Sequence, residues 1–356
     1  MKGNLKIREI AQRTGYSNST VSRVLSGQSN TSEQAKASIL NCARQCGVLT
    51  ELANGRLLLN GVTIFAPSRA FDLRSDIYYH KVVQSIIDAL KPHDVRVRYC
   101  GLEENDSDAT LFLNKIREPS TEAALLIGID DPYIHALAAD SGKPCILINA
   151  IDRKMRLPSV APAHRLIGEF SAHYLFEQGH HSVLTLLCPR RYTMELRLEG
   201  IRDAYLQHNL PFSSGSNWLP LDNFSSTKAE EAMTTYLSHH PPDKWPTAIL
   251  AGGDFIAVGA VDALYKAGLR VPQDMSVMSM DGFNLAAIHD MPLTSVHVPR
   301  EALGEEAIRQ LQYRLIRPDA AISNVLLNGT LVVRASVRRW RTSKSVAPVQ
   351  SERLYD

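Results

Sequence analysis

The chain has 356 residues, 44% hydrophobic and 21% charged, which is globular composition with length for two or three domains. No run reaches the roughly 18 apolar residues of a membrane span, and the opening MKGNLKIREIAQ has no apolar signal core, so a cytoplasmic protein without a membrane partner is expected. Net charge is +2, but residues 1–60 hold eight Lys/Arg against three Glu, leaving −3 for the rest; a basic head on a near-neutral body suits a polyanion.

Three short helices are expected in the head. The first runs from Lys6 to Arg13, with Ile7, Ile10 and Ala11 on one side and Gly15 as its stop. The second starts at Ser17, an N-cap, and runs to Ser26 before Gly27. The third opens on Thr31-Ser-Glu-Gln34, which fits a capping box, turns Ala35, Ile39, Leu40 and Ala43 inward, and ends at Gly47. Two helices joined by a short turn containing Gly make a helix-turn-helix, whose second helix enters the DNA major groove. Val21, Val24 and Leu25 give that helix a thin apolar stripe for docking. Ser17, Asn18, Ser19, Thr20, Ser22 and Arg23 give it a short polar face that can approach bases and phosphates. The five cysteines, Cys42, Cys46, Cys100, Cys145 and Cys188, are read as reduced thiols. Cys42 and Cys46, one turn apart, are read as a buried helix face rather than a metal site.

The stretch IREIAQRTGYSNSTVSRVLSG resembles the DNA-binding domain of the lactose-repressor/galactose-repressor family of bacterial transcription factors, with VSRVL after a Thr as the strongest signal. Lys6 and Tyr16 depart from the family pattern. The resemblance implies a hinge helix over the next stretch, GVLTELANGRLLLNG, with Leu57 as the residue that wedges into the minor groove. Gly55 disfavours a helix there, and Leu57 also reads as the start of the next core, in the run Leu57-Leu58-Leu59.

From Gly61 short apolar runs alternate with helical ones. VTIFAP, VRVRYC, ALLIGI and PCILIN form one set; after Pro158 the rhythm restarts with VLTLLC, AILAGG and MSVMSMD. This alternation predicts two α/β subdomains with parallel sheets, and ligands bind such sheets at the carboxyl ends of strands. The resemblance continues nearly to Trp340 through EQGHHSV, RLEGIRDAY, PTAILAGGDFIAVGAVDALYKAGLRVPQDMSV and PLTSVHVPREALG.

The expected fold is therefore an N-terminal all-α helix-turn-helix domain (1–48), a hinge (49–60) and an α/β two-lobed periplasmic-binding-protein-like effector domain (61–340). Its N-lobe would take about 61–159 plus 292–321 and its C-lobe about 160–291 plus 322–340. The tail 341–356 lacks periodicity. The resemblance implies a homodimer on a pseudo-palindromic double-stranded operator, controlled by a small-molecule effector between the lobes, with no cofactor and no metal. Positions matching its effector contacts are Tyr78, Tyr79, Asn149, Arg197, Phe224, Asp254 and Asp281. Phe224 reads equally as a ligand-stacking ring or a core residue. His164 and Arg165 replace a frequent Asp-Asn pair, and Arg165 with Arg197 suggests an acidic or phosphorylated sugar. Carbohydrate metabolism is the family's commonest subject, so a sugar or a sugar acid or phosphate is the expected effector; a nucleoside or purine is the alternative. An exported sugar-binding protein lacks support from the N-terminus. No nucleotide-binding, zincin or nucleophile-elbow motif marks an enzyme, and His180-His181 and His239-His240 read as surface or turn residues.

Overall fold

The computed structural model describes residues 2–26, 31–46, 57, 59–72, 76–93, 95–282 and 290–340; for 2–5, 33 and 44 it describes the backbone alone. The expected hinge up to residue 56, Leu58, the helix stops Gly27 and Gly47 and the tail 341–356 lie outside the described residues.

The head is α1 (Lys2–Thr14), α2 (Asn18–Leu25) and α3 (Glu33–Gln45). Gly15 ends α1 in the left-handed region, at φ +75°, with its amide on the Ala11 carbonyl at 2.9 Å. Ser17 caps α2, its hydroxyl accepting from the Thr20 amide at 3.1 Å. In α3 the capping side chain is Ser32, not Thr31: its hydroxyl accepts from the Ala35 amide at 3.3 Å, so the helix starts one residue late. Ile10, Val21, Val24, Leu25, Ile39 and Ala43 fill the space between the helices, with Cys42 inside and Cys46 at its margin.

The body follows in chain order as β1 (Gly61–Ala66), α4 (Ile77–Leu90), β2 (Arg96–Gly101), α5 (Ala109–Arg117), β3 (Ala123–Ile127), α6 (Pro132–Asp140), β4 (Cys145–Ile148) and β5 (Ser159–Pro162). Next come α7 (His164–Glu177), β6 (Val183–Leu187), α8 (Tyr192–Gln207), β7 (Trp218–Pro220), α9 (Ser226–His239), β8 (Ala248–Ala251), α10 (Asp254–Lys266) and β9 (Ser276–Ser279). The last are β10 (Thr294–His297), α11 (Arg300–Ile316), β11 (Asn324–Leu327) and β12 (Thr330–Val332).

The chain divides into two compact units. The first is Met1–Pro162 with Pro299–Leu327, and so includes the head; the second is Ala163–Val298 with the residues from Asn328 on. The first sheet has the order β11-β5-β4-β3-β1-β2, all parallel; the second has β12-β10-β9-β8-β6-β7, parallel except for β12 against β10. Each order reverses beside its first strand, between β1 and β3 in one unit and between β6 and β8 in the other. Such switch points open a crevice at the carboxyl ends of the strands.

Strands β1, β3 and β4 are buried at every position because helices cover both faces of the sheet. Val62, Ile64, Leu125 and Ile148 pack with Val82 and Ile86 of α4 and Leu303 and Leu311 of α11. Phe65, Leu126 and Leu147 point the other way, with Phe112 of α5 and Ile134 of α6. His180, expected as a surface or turn residue, is buried in the second unit: its ring nitrogens lie 3.0 Å from the Thr247 hydroxyl and 3.0 Å from the Arg338 carbonyl. His181 and His239 are exposed, and His240 is half-buried on the Tyr236 ring at 4.1 Å.

Candidate functional site

On the head, α2 separates its two faces cleanly. Val21, Val24 and Leu25 are buried, while Ser17, Asn18, Ser19, Ser22 and Arg23 are exposed and Thr20 is half-buried. The Ser17 hydroxyl lies 2.9 Å from that of Ser19 and 2.8 Å from that of Thr20, so three hydroxyls cluster at the positive end of the helix. Arg23 lies back along its helix, with Nε on the Ser19 carbonyl at 3.2 Å. Leu57 is not on this surface. It is 1% exposed in the first unit's core beside Leu59 and Val62, and its amide donates to His93 Nδ1 at 3.1 Å. Of the two readings the sequence allows, its place here is the start of that core.

In the first unit the structure brings Tyr78, Tyr79 and Asn149 together. Asp76 starts α4 by accepting from the Tyr79 amide at 3.0 Å, and its other oxygen accepts from Arg69 Nε at 3.0 Å. Arg69 also pairs with the buried carboxylate of Glu104, and its guanidinium lies 6.0 Å from the Tyr79 ring centre. The Tyr79 hydroxyl accepts from Asn149 Nδ2 at 3.1 Å, just past β4, where Asn149 adopts φ +54°. Tyr79 reaches this point because Gly128, after β3, has no side chain: a Cβ there would lie 2.3 Å from its hydroxyl. Tyr78 stands edge-on to Tyr79 at 5.3 Å, with the Arg300 guanidinium 6.0 Å from its ring centre. Arg69, Asp76, Glu104 and Arg300 carry no spacing signal. Only the place of Arg69 and Asp76, in the connection after β1 at the switch point, could have marked them.

In the second unit Arg197, on α8, is 1% exposed and held on three sides. Its Nε donates to His164 Nδ1 at 3.1 Å, one terminal nitrogen to the Gly252 carbonyl at 2.7 Å, and the other to Asp281 Oδ1 at 3.1 Å. Gly252 follows β8 and Asp281 follows β9, so the arginine joins two strand ends. Burial, and then the adjacent guanidinium, hold the His164 imidazole well below its ordinary pKa, keeping it a neutral acceptor. The geometry requires α7 and α8 to cross closely. A Cβ on Gly168 would lie 2.1 Å from the Arg197 carbonyl, and one on Gly200 1.9 Å from the Arg165 carbonyl.

Asp254 is buried at the start of α10, accepting from the Ser279 hydroxyl and from the Gly282 amide at 3.2 Å, so it braces the end of β9. Phe224 is outside the core. It lies half-buried between β7 and α9, with the Arg191 guanidinium 5.3 Å from its ring centre. Arg165 does not join Arg197: it is exposed and paired with Asp203 at 2.7 Å, which removes that ground for an acidic ligand. Arg191 and Thr193 also stand at this switch point and had no motif to reveal them. Both are buried, and among the described residues the Thr193 hydroxyl has no hydrogen-bond partner.

A family model described as a periplasmic binding protein-like domain matches residues 172–337. The ribose operon repressor of Escherichia coli (strain K12) is 26% identical over 338 residues, 93% of this chain and 99% of its own. The HTH-type transcriptional repressor PurR of Edwardsiella ictaluri (strain 93-146) is 25% identical, over 93% of this chain and 96% of its own. A structure of the lac repressor dimer bound to operator and the anti-inducer ONPF shares the fold at TM-score 0.68 and 20% identity, over 92% of this chain and 98% of that one. The head with its exposed polar helix, the two parallel sheets and these relatives over nearly their full lengths agree: from head to body the chain is similar to the lactose-repressor/galactose-repressor family of transcriptional regulators.

Proposed function

We propose that this regulator is a cytoplasmic repressor that reads a pseudo-palindromic operator as a homodimer. Ser17, Asn18, Ser19, Thr20, Ser22 and Arg23 form its DNA-reading surface. The observation that carries this reading is the division of α2: its apolar side chains are buried and its short polar ones face outward from a capped N-terminus. Asn18 and Ser19 are placed for base edges, Arg23 for a base or phosphate, and the Ser17–Thr20 hydroxyls for phosphate. Leu57 is left out of this surface, since leaving its core position would cost about 1.5–3 kcal/mol. Among the described residues no helix is long and apolar enough to cross a membrane.

A small molecule controls DNA binding through the strand ends. Tyr78, Tyr79 and Asn149 in the first unit, and Arg197, Phe224 and Asp281 in the second, are the groups it meets. Asp254 braces the chain on either side of Asp281, through Ser279 and Gly282. A sugar-derived effector is favoured by Asp281, which can accept from hydroxyls, and by the ribose operon repressor among the relatives. A base-containing effector is the second reading, because the half-buried Phe224 ring suits a flat aromatic partner. Such control is linkage: the effector must bind one state of the protein more tightly, by about 1–3 kcal/mol.

The test is selection from a random DNA pool with the full chain, followed by binding titrations. A two-fold symmetric site is expected. Asn18→Ala should lose about 1–3 kcal/mol of discrimination at one base position of each half-site. Recovery of no symmetric site, or an equal loss on every sequence for Asn18→Ala, would overturn base reading by α2.

A further inference from the structure

Cys42 and Cys46 stand one turn apart on α3, in different surroundings. Cys42 is buried in the head's core with Val21, Val24, Ile39 and Ala43, while Cys46 is half-buried at its margin. The two thiols meet. Burial, and then the Cys46 thiol with which it shares a hydrogen bond, push the pKa of Cys42 up. Cys100, Cys145 and Cys188 are buried in the body, and burial pushes the Cys145 thiol up to about 12. The thiol that an oxidant reaches first is therefore Cys46, with Cys42 directly behind it.

The pair occupies the last turn of the helix. α3 ends at Gln45, and the Cys46 amide closes the turn on the Cys42 carbonyl at 2.9 Å. Across an intact turn, Cβ atoms four residues apart lie about 5–6 Å from each other. A disulfide needs roughly 3.5–4.5 Å. Joining the sulfurs therefore opens this turn and draws Cys42 out of the core. Ile39 and Ala43 of the same helix pack with Val21, Val24 and Leu25 of α2, so a displaced end of α3 disturbs the seat of the DNA-reading helix.

We propose that Cys42 and Cys46 are a thiol switch: a hydroperoxide joins them in a reversible disulfide that unseats the end of α3 and weakens DNA binding. The consequence rests on the DNA-binding reading above; the chemistry does not. The Cys46 thiolate attacks one peroxide oxygen, the O–O bond breaks, and the other oxygen leaves as water or an alcohol. Cys46 is then a sulfenic acid. The Cys42 sulfur attacks the Cys46 sulfur, the S–S bond forms, the S–O bond breaks, and hydroxide leaves with the Cys42 proton as water. Two thiols are oxidised and one peroxide is reduced. A strained bond of this kind is easily reduced, and a small dithiol restores both thiols by exchange. Transient redox-sensing disulfides are the kind that a reducing compartment permits.

The test treats the reduced full chain with increasing hydrogen peroxide and maps disulfides by peptide mass spectrometry. DNA binding is titrated on the selected site before treatment, after it, and after dithiothreitol. Wild type is compared with Cys42→Ala and Cys46→Ser. In wild type a Cys42–Cys46 bond is expected, with DNA affinity falling at least ~10-fold, roughly the loss of one base contact, and recovering with dithiothreitol. Both variants should bind DNA as reduced wild type does and respond to neither reagent. Cys46→Ser, at the margin of the core, carries the comparison if Cys42→Ala does not fold. No bond between Cys42 and Cys46, or a bond that leaves DNA affinity unchanged, overturns the switch. An equal fall in both variants places the oxidation elsewhere and also overturns it. A reduced chain that binds no DNA overturns the reading of α2; the disulfide map, which does not depend on DNA, then decides the thiol pair alone.

Discussion

At the scale of single residues, the second unit turns on Arg197 and His164. The guanidinium is buried and its partner Asp281 is 17% exposed, so removing the arginine strands a mostly desolvated carboxylate and frees the Gly252 carbonyl. Arg197→Met should destabilise the chain by about 3 kcal/mol, the lower end for a broken buried pair because Asp281 keeps some water; urea unfolding measures it. His164 gives a pH dependence of known sign. Its folded pKa lies well below 6.5, so in the range beneath 6.5 the unfolded chain binds the proton and the folded chain does not. Stability is fully present above pH 6.5 and declines as pH falls. His180, pushed down to about 4 chiefly by burial, adds to the same slope between about 6.5 and 4. Melting temperature should therefore drop from pH 7.5 to pH 5, and drop less in His164→Gln, which keeps an acceptor without a titrating ring. An equal drop in both proteins would show that His164 is not the titrating group. The sequence named Arg197, Asp281 and Asn149 only through resemblance. Nothing in it could show that Arg165 faces water, because a helix pattern does not say which of two neighbouring arginines a close crossing will bury.

At the scale of elements, legibility follows burial and length. Strands β1 and β3 were visible as apolar runs because both faces are covered, whereas the equally interior β5 and β10 were not, being four residues long and partly polar; Gly15 and Ser17 marked helix ends by chemistry that acts locally. β7, β11 and β12 were not visible: they are three or four residues long, partly exposed, and lie at sheet edges, so no run of apolar residues announces them. The crossing of α7 and α8 was hidden for another reason. Gly168 faces the backbone at Arg197 and Gly200 the backbone at Arg165, contacts between residues about 30 positions apart that exist only after folding. Gly200→Ala would place a methyl group 1.9 Å from a backbone carbonyl, so the helices must separate. The expected cost is about 1–3 kcal/mol by thermal unfolding. Because Arg197 rides on α8, effector affinity should fall with it. Gly215, at φ +85° with open space around it, is no such contact; Gly215→Ala strains its backbone but should leave effector affinity unchanged.

At the scale of the whole molecule, control of DNA binding requires a physical link from the strand ends to the head, and within the first unit one carboxylate joins β3 to the head. Glu122, just before β3, accepts from Lys36 of α3 at 2.5 Å. Its other oxygen accepts from the Asn60 amide at 3.1 Å and from Asn60 Nδ2 at 2.9 Å, just before β1. Both flanks of the segment that joins head and body are therefore tied to one side chain. β3 runs from that carboxylate to Gly128, where the Tyr79 hydroxyl fills the space left by the missing side chain. If the ligand meets Tyr79 and Asn149 as proposed, a shift of either would bear on a fully buried strand whose far end holds the head. Lys36 is buried, so Glu122→Ala leaves an ammonium without its counter-charge and should loosen the head by about 1–3 kcal/mol. Trypsin should then release the head faster, while the body's melting temperature changes little. The DNA complex should become less sensitive to effector even where effector affinity is retained. If Glu122→Ala keeps the wild-type ratio of DNA affinities with and without effector, the link does not run through this carboxylate. If the ratio falls towards one with effector affinity intact, β3 and Glu122 carry the coupling, and the head is held by the strand whose other end meets the ligand.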